Sequence, residues 1–415
     1  MKKIVLFIAM MPGIYSCYAQ RAAVIANGVW RGVLQRNDGV GIVFNFKVTD
    51  TAGRKLVYIM NAGNRLAVDN MDQKGDSVII RLPFFDSEFR VRRAGDNELT
   101  GRWVKHLADR DVVIPFTARR NENYRFIITH KAITANISGR WSAAFRDTVT
   151  GKTSSLVGVF EQNGNHLTGS FLTRSGDYRF LEGVVDGDSL KISGFDGGYA
   201  QYFSAKIDNN NTISGGHFFS GSGPATQVWT ASRNDNAQLE EASLRELLNT
   251  DISPKLNFAF KDADGNMVAF TDERFRNKIV IIQIMGSWCP NCMDETGFIN
   301  KLYSEYKHKG VEMMGLSYER TADFSRSAPA VKNFMKRLGI TYPVLIPPVA
   351  VSDPQRTEKT IPQLKKITAF PTTVFVGRDG TIKEVHAGFN GPGTGEDYEK
   401  QKEDFYRIVN HLVEE

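Results

Sequence analysis

The sequence predicts a multidomain protein with an all-β N-terminal region, made of two similar meander- or barrel-like units, followed by an α/β domain. At 415 residues the chain is longer than one hydrophobic core usually fills. Residues 27–233 are short alternating segments separated by turns such as Asp38-Gly39, whereas continuous apolar runs and helical patterns alternate after residue 252. The net charge is only +6 and no long Lys/Arg block occurs, so the composition does not indicate a nucleic-acid partner.

The first nineteen residues have the order of a secretory signal peptide. Lys2 and Lys3 precede an apolar run over residues 4–11, which ends at Pro12-Gly13 and small residues. A buried N-terminal strand is the alternative, but it would not need this order of charge, apolar run and small residues. Later apolar runs fall short of the ~18 residues of a membrane helix. We therefore expect an exported protein of the periplasm or cell envelope that does not span the membrane.

Cys17 leaves two processing routes open. Cleavage after Ala19 would remove it, whereas "IYSC" is a loose lipobox that would make Cys17 a lipidated N-terminus and anchor the protein. Both routes leave Cys289 and Cys292 as the cysteines of the mature chain. No second pair remains for a structural disulfide framework.

The two β units are predicted to be a duplication, covering residues 20–126 and 127–235. Four motifs of the first unit recur in the second at offsets between about 111 and 114 residues: "GVW" at Gly28 and "GRW" at Gly139, "GDSVII" at Gly75 and "GDSLKI" at Gly187, "LTGRW" at Leu99 and "ISGGHF" at Ile213, and "PFTARR" at Pro115 and "VWTASR" at Val228. Chance matches of turn-rich sequence would not keep so constant an offset.

The function of these units is not readable from their sequence. Four tryptophans lie in them, and core packing is favoured over ligand stacking because aromatic side chains bury large areas: Trp30, Trp103, Trp141 and Trp229. Any ligand of the β units is unknown. The seven histidines are scattered without metal-ligand spacing, so we expect neither a metal nor a cofactor.

Residues 236–251 are predicted to form a helical linker, because Leu239, Leu244 and Leu248 follow helical spacing. The α/β domain then covers residues 252–415. Its predicted elements are strands near residues 258–260, 278–286 and 311–318, a helix after the cysteines, a helix over 330–338, a hairpin turning at Asp379-Gly380 and a terminal helix over 396–413.

The stretch "SWCPNC", residues 287–292, carries the chemistry. Cys289 lies where a buried strand gives way to a helix, and the N–H groups of a helix N-terminus stabilise a thiolate. Cys292, one turn later, can attack a mixed disulfide formed at Cys289, and Pro290 suits the first helical position. Zinc would need two further ligands, haem attachment would need histidine at position 293, which is Met, and a structural bridge would close too short a loop to stabilise much. The pattern favours redox chemistry.

"GSWCPNCMDE" followed by "FPTTVFVGRDG" resembles the thioredoxin superfamily and, within it, the TlpA/ResA-like exported thiol–disulfide oxidoreductases. The resemblance covers residues 252–415 and implies a thioredoxin-like domain with Cys289 as the exposed nucleophile and Cys292 as the resolving thiol. Pro371 matches the family's cis-proline, beside which substrate backbone binds. Glu295 matches the acidic residue placed one helical turn beneath the second cysteine.

The resemblance also implies a substrate groove, protein disulfide substrates and a membrane electron donor for a reductase. The groove residues are Trp288, Pro290, Phe370 and Thr372. Gln283 occupies the strand position where thioredoxin carries a buried acid, so proton handling is expected of Glu295. The Pro290-Asn291 dipeptide does not decide between reductase, oxidase and isomerase.

Two other functions remain as alternatives. The chain would be a ligand-binding or assembly protein of the cell envelope if its β units held a ligand and redox activity were secondary. A peroxidase is disfavoured because the pattern of Pro and Thr ahead of a lone cysteine is absent.

Overall fold

The structure is a computed structural model that describes residues 25–51, 53–129, 132–221, 227–240 and 242–415. The predicted signal peptide, residues 1–19, and Cys17 lie outside the described residues. Within the described ranges, no helix is both long and apolar enough to cross a membrane.

The first β unit is an antiparallel meander. Among its described residues it has nine strands: β1 Gly28–Gln35, β2 Gly41–Thr51, β3 Arg54–Asn61, β4 Asn64–Val68, β5 Asn70–Lys74, β6 Ser77–Arg81, β7 Ser87–Gly95, β8 Glu98–His106 and β9 Asp111–Arg120. They form one sheet in the order β4-β3-β2-β1-β9-β8-β7-β6-β5. The pairing of β1 with β9 joins the start of the unit to its end.

The second unit repeats this plan. Apart from the undescribed residues 222–226, its strands are β10 Gly139–Asp147, β11 Thr153–Asn163, β12 His166–Thr173, β13 Gly176–Asp177, β14 Leu181–Asp186, β15 Ser189–Phe195, β16 Ala200–Asn209, β17 Thr212–Ser220 and β18 Gln227–Arg233. The sheet order is β11-β10-β18-β17-β16-β15-β14-β12-β13, and β11 also pairs with β12. The prediction of two barrel-like β units before an α/β domain is confirmed.

Aromatic side chains fill the interiors of both units. The indole of Trp30 donates to the Ala26 carbonyl at 3.0 Å, and that of Trp141 donates to the Ile137 carbonyl at 2.9 Å, the same four-residue contact in each unit. All four tryptophans of the units are at most 2% exposed. They pack as core residues and present no stacking surface to a ligand.

The two β units pack against each other. Phe195, at the end of β15 in the second unit, stacks against Phe44 of the first with ring centroids 4.3 Å apart. The buried Arg125, between the units, donates to the carbonyls of Met60 and Ser193 and pairs with Glu182 at 3.0 Å. Because apolar and ionic contacts both cross the boundary, the units pack as one body.

The linker differs from its prediction. Among the described residues of the linker, only Leu244–Leu247 are helical, as helix α1, which Ser243 and Glu246 open with a capping box. The chain then extends, because Leu248 pairs with Leu364 of the α/β domain as an isolated β bridge. Before α1 the backbone follows the second unit, where Arg140 donates to the Ala237 carbonyl at 2.9 Å. Contacts at both ends thus override the helical spacing of the leucines.

The α/β domain is built around one seven-stranded sheet. Its elements are β19 Ala259–Asp262, β20 Met267–Ala269, β21 Ile279–Met285, α2 Pro290–Tyr306, β22 Val311–Ser317, α3 Phe324–Leu338, β23 Val344–Ile346, α4 Arg356–Thr360, β24 Thr372–Val376, β25 Ile382–Ala387 and α5 Glu396–Glu414. Short 3-10 helices span Glu273–Phe275, Lys307–Lys309 and Pro392–Thr394. The sheet order is β20-β19-β23-β22-β21-β24-β25, with β22 parallel to β21 and β23.

The predicted elements of this domain are present, with one shifted boundary. Helix α3 begins at Phe324 rather than at Ala330, because the Asp323 side chain caps it by accepting from the Ser325 N–H. Pro329 lies inside its second turn. Every residue of β21 is buried, so this strand is covered on both faces and ends at the motif that contains the cysteines.

Candidate active site

Cys289 lies at the N-terminus of α2 and caps it. The sulfur of Cys289 accepts a hydrogen bond from the Cys292 N–H at 3.1 Å, and Pro290 occupies the first helical position. Cys289 and Cys292 form a disulfide with their Cα atoms 5.2 Å apart. A thiolate released at Cys289 on reduction would therefore meet an N–H group and the positive end of the helix dipole, which lower a thiol pKa.

The Cys289 sulfur also faces the loop before β24. Its Sγ lies 3.4 Å from the carbonyl oxygen of Phe370, and the Phe370–Pro371 peptide bond is cis. Thr372 begins β24, and its hydroxyl donates to the Ala369 carbonyl at 2.9 Å, which holds the loop. The structure thus brings three of the residues that the sequence predicts for the site, Phe370, Pro371 and Thr372, next to Cys289.

Trp288 forms one side of this arrangement. Its indole N–H donates to the Tyr318 carbonyl at 2.9 Å, and its ring lies 5.5 Å from that of Phe370. The guanidinium of Arg320 lies over the Trp288 ring, 5.4 Å from the ring centroid. These contacts fix the indole as a half-buried wall beside the disulfide.

A buried carboxyl group lies behind the disulfide. Glu295 is 0% exposed, and its two oxygens accept from the Gln283 amide and the Thr373 hydroxyl, each at 2.7 Å. The same Gln283 amide lies 3.3 Å from the Cys292 carbonyl oxygen, so it connects the carboxyl group to the cysteine backbone. Burial raises the pKa of Glu295 to about 7, although the two hydrogen bonds oppose the rise. Glu295 can therefore gain or lose a proton near neutral pH.

The exposure of Cys289 differs from what the resemblance implies. Cys289 is 2% exposed and Cys292 is 0% exposed, and Pro290 and Asn291 between them are buried as well. The reason is the second β unit, whose loops lie on the motif. Gly198 packs so closely on Pro290 that a Cβ atom at residue 198 would lie 2.6 Å from the Pro290 Cγ.

An ionic cluster joins the second β unit to α2. Arg179 donates two parallel hydrogen bonds to the carboxylate of Asp294, at 2.7 and 2.8 Å, and a third to Asp196 within its own unit. The side chains of Arg179 and Asp294 are 5% and 8% exposed. Such bidentate, desolvated pairs fix geometry strongly, since removing either partner leaves a buried charge.

Two further contacts place the turn at Asp177 against the α/β domain. The Asn291 amide donates to the Asp177 carbonyl at 3.1 Å, and the Gly391 N–H donates to the Asp177 carboxylate. Asn291 belongs to the dipeptide between the cysteines, so the second β unit contacts the redox motif itself. Another ion pair joins the same two domains: Arg140 of the second β unit pairs with Asp397 of α5 at 2.6 Å.

The sequence did not predict the cluster of Arg179, Asp196 and Asp294. It also did not predict a role for Glu319, which accepts from the Ser287 N–H at 2.9 Å. These residues are distant in sequence from their partners, and no spacing marks them. Among the described residues, no group of three or more His, Cys, Asp and Glu side chains is placed to hold a metal ion.

Comparison with known proteins matches the α/β domain. A family model described as Redoxin covers residues 250–402. ResA, a thiol–disulfide oxidoreductase of Bacillus thuringiensis subsp. konkukian, is 31% identical over 154 residues, which are 37% of this chain and 75% of that protein. The chain belongs to the ResA-like thiol–disulfide oxidoreductases.

The ResA-like domain is similar to further proteins of the same kind. ResA of Bacillus subtilis strain 168 is 26% identical over 132 residues, 32% of this chain and 64% of that protein. A thioredoxin family thiol:disulfide interchange protein of known structure from Chlorobium tepidum TLS is 23% identical, with a TM-score of 0.29 over 39% of this chain and 96% of that one. The Redoxin match begins at residue 250, so both β units of this ResA-like protein lie outside it.

Proposed function

We propose that this oxidoreductase reduces disulfides of other exported proteins, with Cys289 as nucleophile, Cys292 as resolving thiol and Glu295 as proton donor and acceptor. The observation that carries this proposal is the Cys289–Cys292 disulfide at the start of α2, 3.4 Å from the residue before Pro371, with a buried carboxyl group behind it. Trp288, Pro290, Phe370 and Thr372 would line the substrate groove.

The proposed reaction transfers two electrons to the substrate. The Cys289 thiolate attacks one sulfur of a substrate disulfide, so that a mixed disulfide forms and the other substrate sulfur leaves as a thiolate. The Cys292 thiol gives its proton to Glu295, and the resulting thiolate attacks the Cys289 sulfur and releases the second substrate thiolate. The products are a substrate dithiol, once protonated, and the Cys289–Cys292 disulfide that the structure contains.

An exported reductase needs a dithiol donor to restore its own thiols. We propose that the protein works in the periplasm or cell envelope and that a membrane dithiol protein reduces it. The charge and apolar order of residues 1–19 supports export, and "IYSC" at Cys17 supports a lipid anchor as one of two routes. We also propose the division into units over residues 20–126, 127–235, 236–251 and 252–415, which the separate sheets support.

The assignment of the two cysteines is testable with a trapping experiment. Pre-reduced Cys292→Ser should form a lasting mixed disulfide with insulin, because the thiolate that would release the substrate is gone. Non-reducing electrophoresis and mass spectrometry of the adduct measure this outcome, and expression of the same variant in a bacterial envelope would identify native substrates.

The matched control is Cys289→Ser, which should trap nothing, because Cys292 lies inside the first turn of α2 whereas Cys289 caps the helix. Trapping by this control in place of Cys292→Ser would reverse the two roles. If neither variant forms an adduct and the wild-type protein reduces no disulfide, a ligand-binding or assembly function of the β units replaces the proposal.

A further inference from the structure

The second β unit closes one approach to the Cys289–Cys292 disulfide. Gly198 lies on Pro290, and Asn291 is bonded to the Asp177 backbone. The neighbouring Lys105 of the first unit donates to the Gly198 carbonyl, which holds that loop in place. A substrate cannot reach the sulfur atoms from this side without displacing the loops.

An open cleft lies beside this loop, where Trp288 faces the first β unit. Its volume is about 600 Å³, within the range of ordinary ligand sites. One wall comes from residues 81–88 and 106–108 of the first unit, and the other from Ser287, Trp288, residues 319–321 and helix α3. The cleft therefore ends at the two residues that directly precede Cys289.

Several charged side chains of this cleft already have partners within the protein. Arg81 pairs with Asp72 at 2.5 Å, and Arg337 pairs with Asp69 at 3.1 Å. Glu319, on the same wall, accepts from Ser287 and Ser317. Those groups already have partners within the protein, so they offer little to a ligand.

Arg320, at the end nearest the disulfide, lacks such a partner within the described ranges. Its guanidinium carbon lies over the Trp288 ring, 5.4 Å from the ring centroid, and its buried Nε has no hydrogen-bond partner among the described residues. Neither Glu319 nor Asp86, the carboxylates that face it, forms an ion pair with it in the part of the chain that the structure describes. Buried donors are normally satisfied, and a guanidinium pairs best with a carboxylate.

We infer that the cleft between the first β unit and the ResA-like domain binds an extended segment of the substrate protein, and that Arg320 binds an acidic side chain next to the substrate disulfide. This inference rests on the proposed function, because it names the substrate that the same cysteines would reduce. An extended segment fits the geometry, since the loops on Pro290 exclude a broad folded surface. The Trp288 ring and Arg320 together would recognise the residue beside the reacting cysteine.

The test compares two flexible peptides of equal length that contain the same disulfide, flanked by glutamate in one and by glutamine in the other. Pre-reduced full-length protein is mixed with each peptide, and the oxidation of Cys289 and Cys292 is followed by alkylation and mass spectrometry. We expect the second-order rate constant to be about tenfold larger for the glutamate peptide, the effect of one hydrogen bond between charged groups.

Two variants test whether Arg320 causes the preference for the glutamate peptide. Arg320→Gln should reduce the preference to near unity, whereas Arg407→Gln, at an exposed position of α5, should retain it. Equal rates for both peptides with the wild-type protein, or a preference that survives in Arg320→Gln, would overturn the inference. If neither peptide nor a small aromatic disulfide oxidises Cys289 and Cys292, the proposed reductase function is refuted, and the inference with it.

Discussion

Replacing Arg179 by alanine should increase the rate at which iodoacetamide alkylates reduced Cys289 by on the order of 100-fold, because each 1.4 kcal/mol changes a population about tenfold. In the closed arrangement the substitution leaves the carboxylate of Asp294 buried without its partner. Removing one member of a buried pair costs about 3–5 kcal/mol. Separation of the second β unit from α2 returns the Asp294 carboxylate to water, so the substitution destabilises the closed form but not the open form.

The measurement is alkylation of pre-reduced protein at fixed pH, followed by mass spectrometry. Arg140→Ala is the matched control, since it removes an ion pair between the same two domains, with Asp397, away from the cysteines. We expect it to change the rate by less than about threefold, as its pair is partly exposed.

Gly198→Ala tests the same closure without leaving an unpaired charge. The added methyl group would meet Pro290 and the ring of Phe85, so it should push the loop away and also speed alkylation. Circular dichroism would verify that both variants are folded. If both react at the wild-type rate, Cys289 is reached by a route that this closure does not control.

The second large effect concerns Glu295 and the pH dependence of stability. Its pKa is about 7 in the folded protein, against an ordinary value of 4.5. Between these pH values the unfolded chain releases a proton that the folded protein keeps, so the free energy of unfolding decreases as pH rises. This difference in pKa corresponds to about 3 kcal/mol in the free energy of unfolding. That contribution is present in full below about pH 4.5 and is lost above about pH 7.

We therefore expect Glu295→Gln to lack this decrease. Urea unfolding of the oxidised protein at pH 4.5 and at pH 8 would measure it, with Glu403→Gln, at an exposed position of α5, as the control. The variant should also change the pH profile of thiol reactivity, because no carboxylate then forms behind Cys292. If the free energy of unfolding changes equally with pH in the wild-type protein and in Glu295→Gln, the pKa of Glu295 is not raised by folding.

Local patterns made part of this site predictable. The position of Cys289 between a buried strand and a helix follows from residues within one element of it, and Glu295 follows from helical spacing. The two motifs also place Pro371 opposite the cysteines. By contrast, Arg179 and Asp294 are separated by 115 residues, and a single arginine in a turn has no periodic pattern that would reveal its partner. The burial of Cys289 is a property of domain packing and could not be read from either motif.

The errors at element boundaries have the same physical origin. Helix α3 starts early because one aspartate caps it, and the described part of the linker is mostly irregular because its ends bind the neighbouring domains. In both places a few contacts outweigh the hydrophobic spacing of a whole segment. The β duplication was predictable since its signal extends over the whole repeat.

The close packing around the redox motif has a mechanical consequence. At Gly198 the contact is with a proline ring, and at Gly388 a Cβ atom would lie 2.8 Å from the backbone nitrogen of Gly176. Backbones and rings have no rotamers by which to yield, so a side-chain movement alone cannot make room there. Access to the disulfide from this side therefore requires backbone to move, either in the loops themselves or by a swing of the β units as a body, over nanoseconds to milliseconds. The frequency of that movement would then set an upper limit on how often a large folded partner could exchange electrons with this protein.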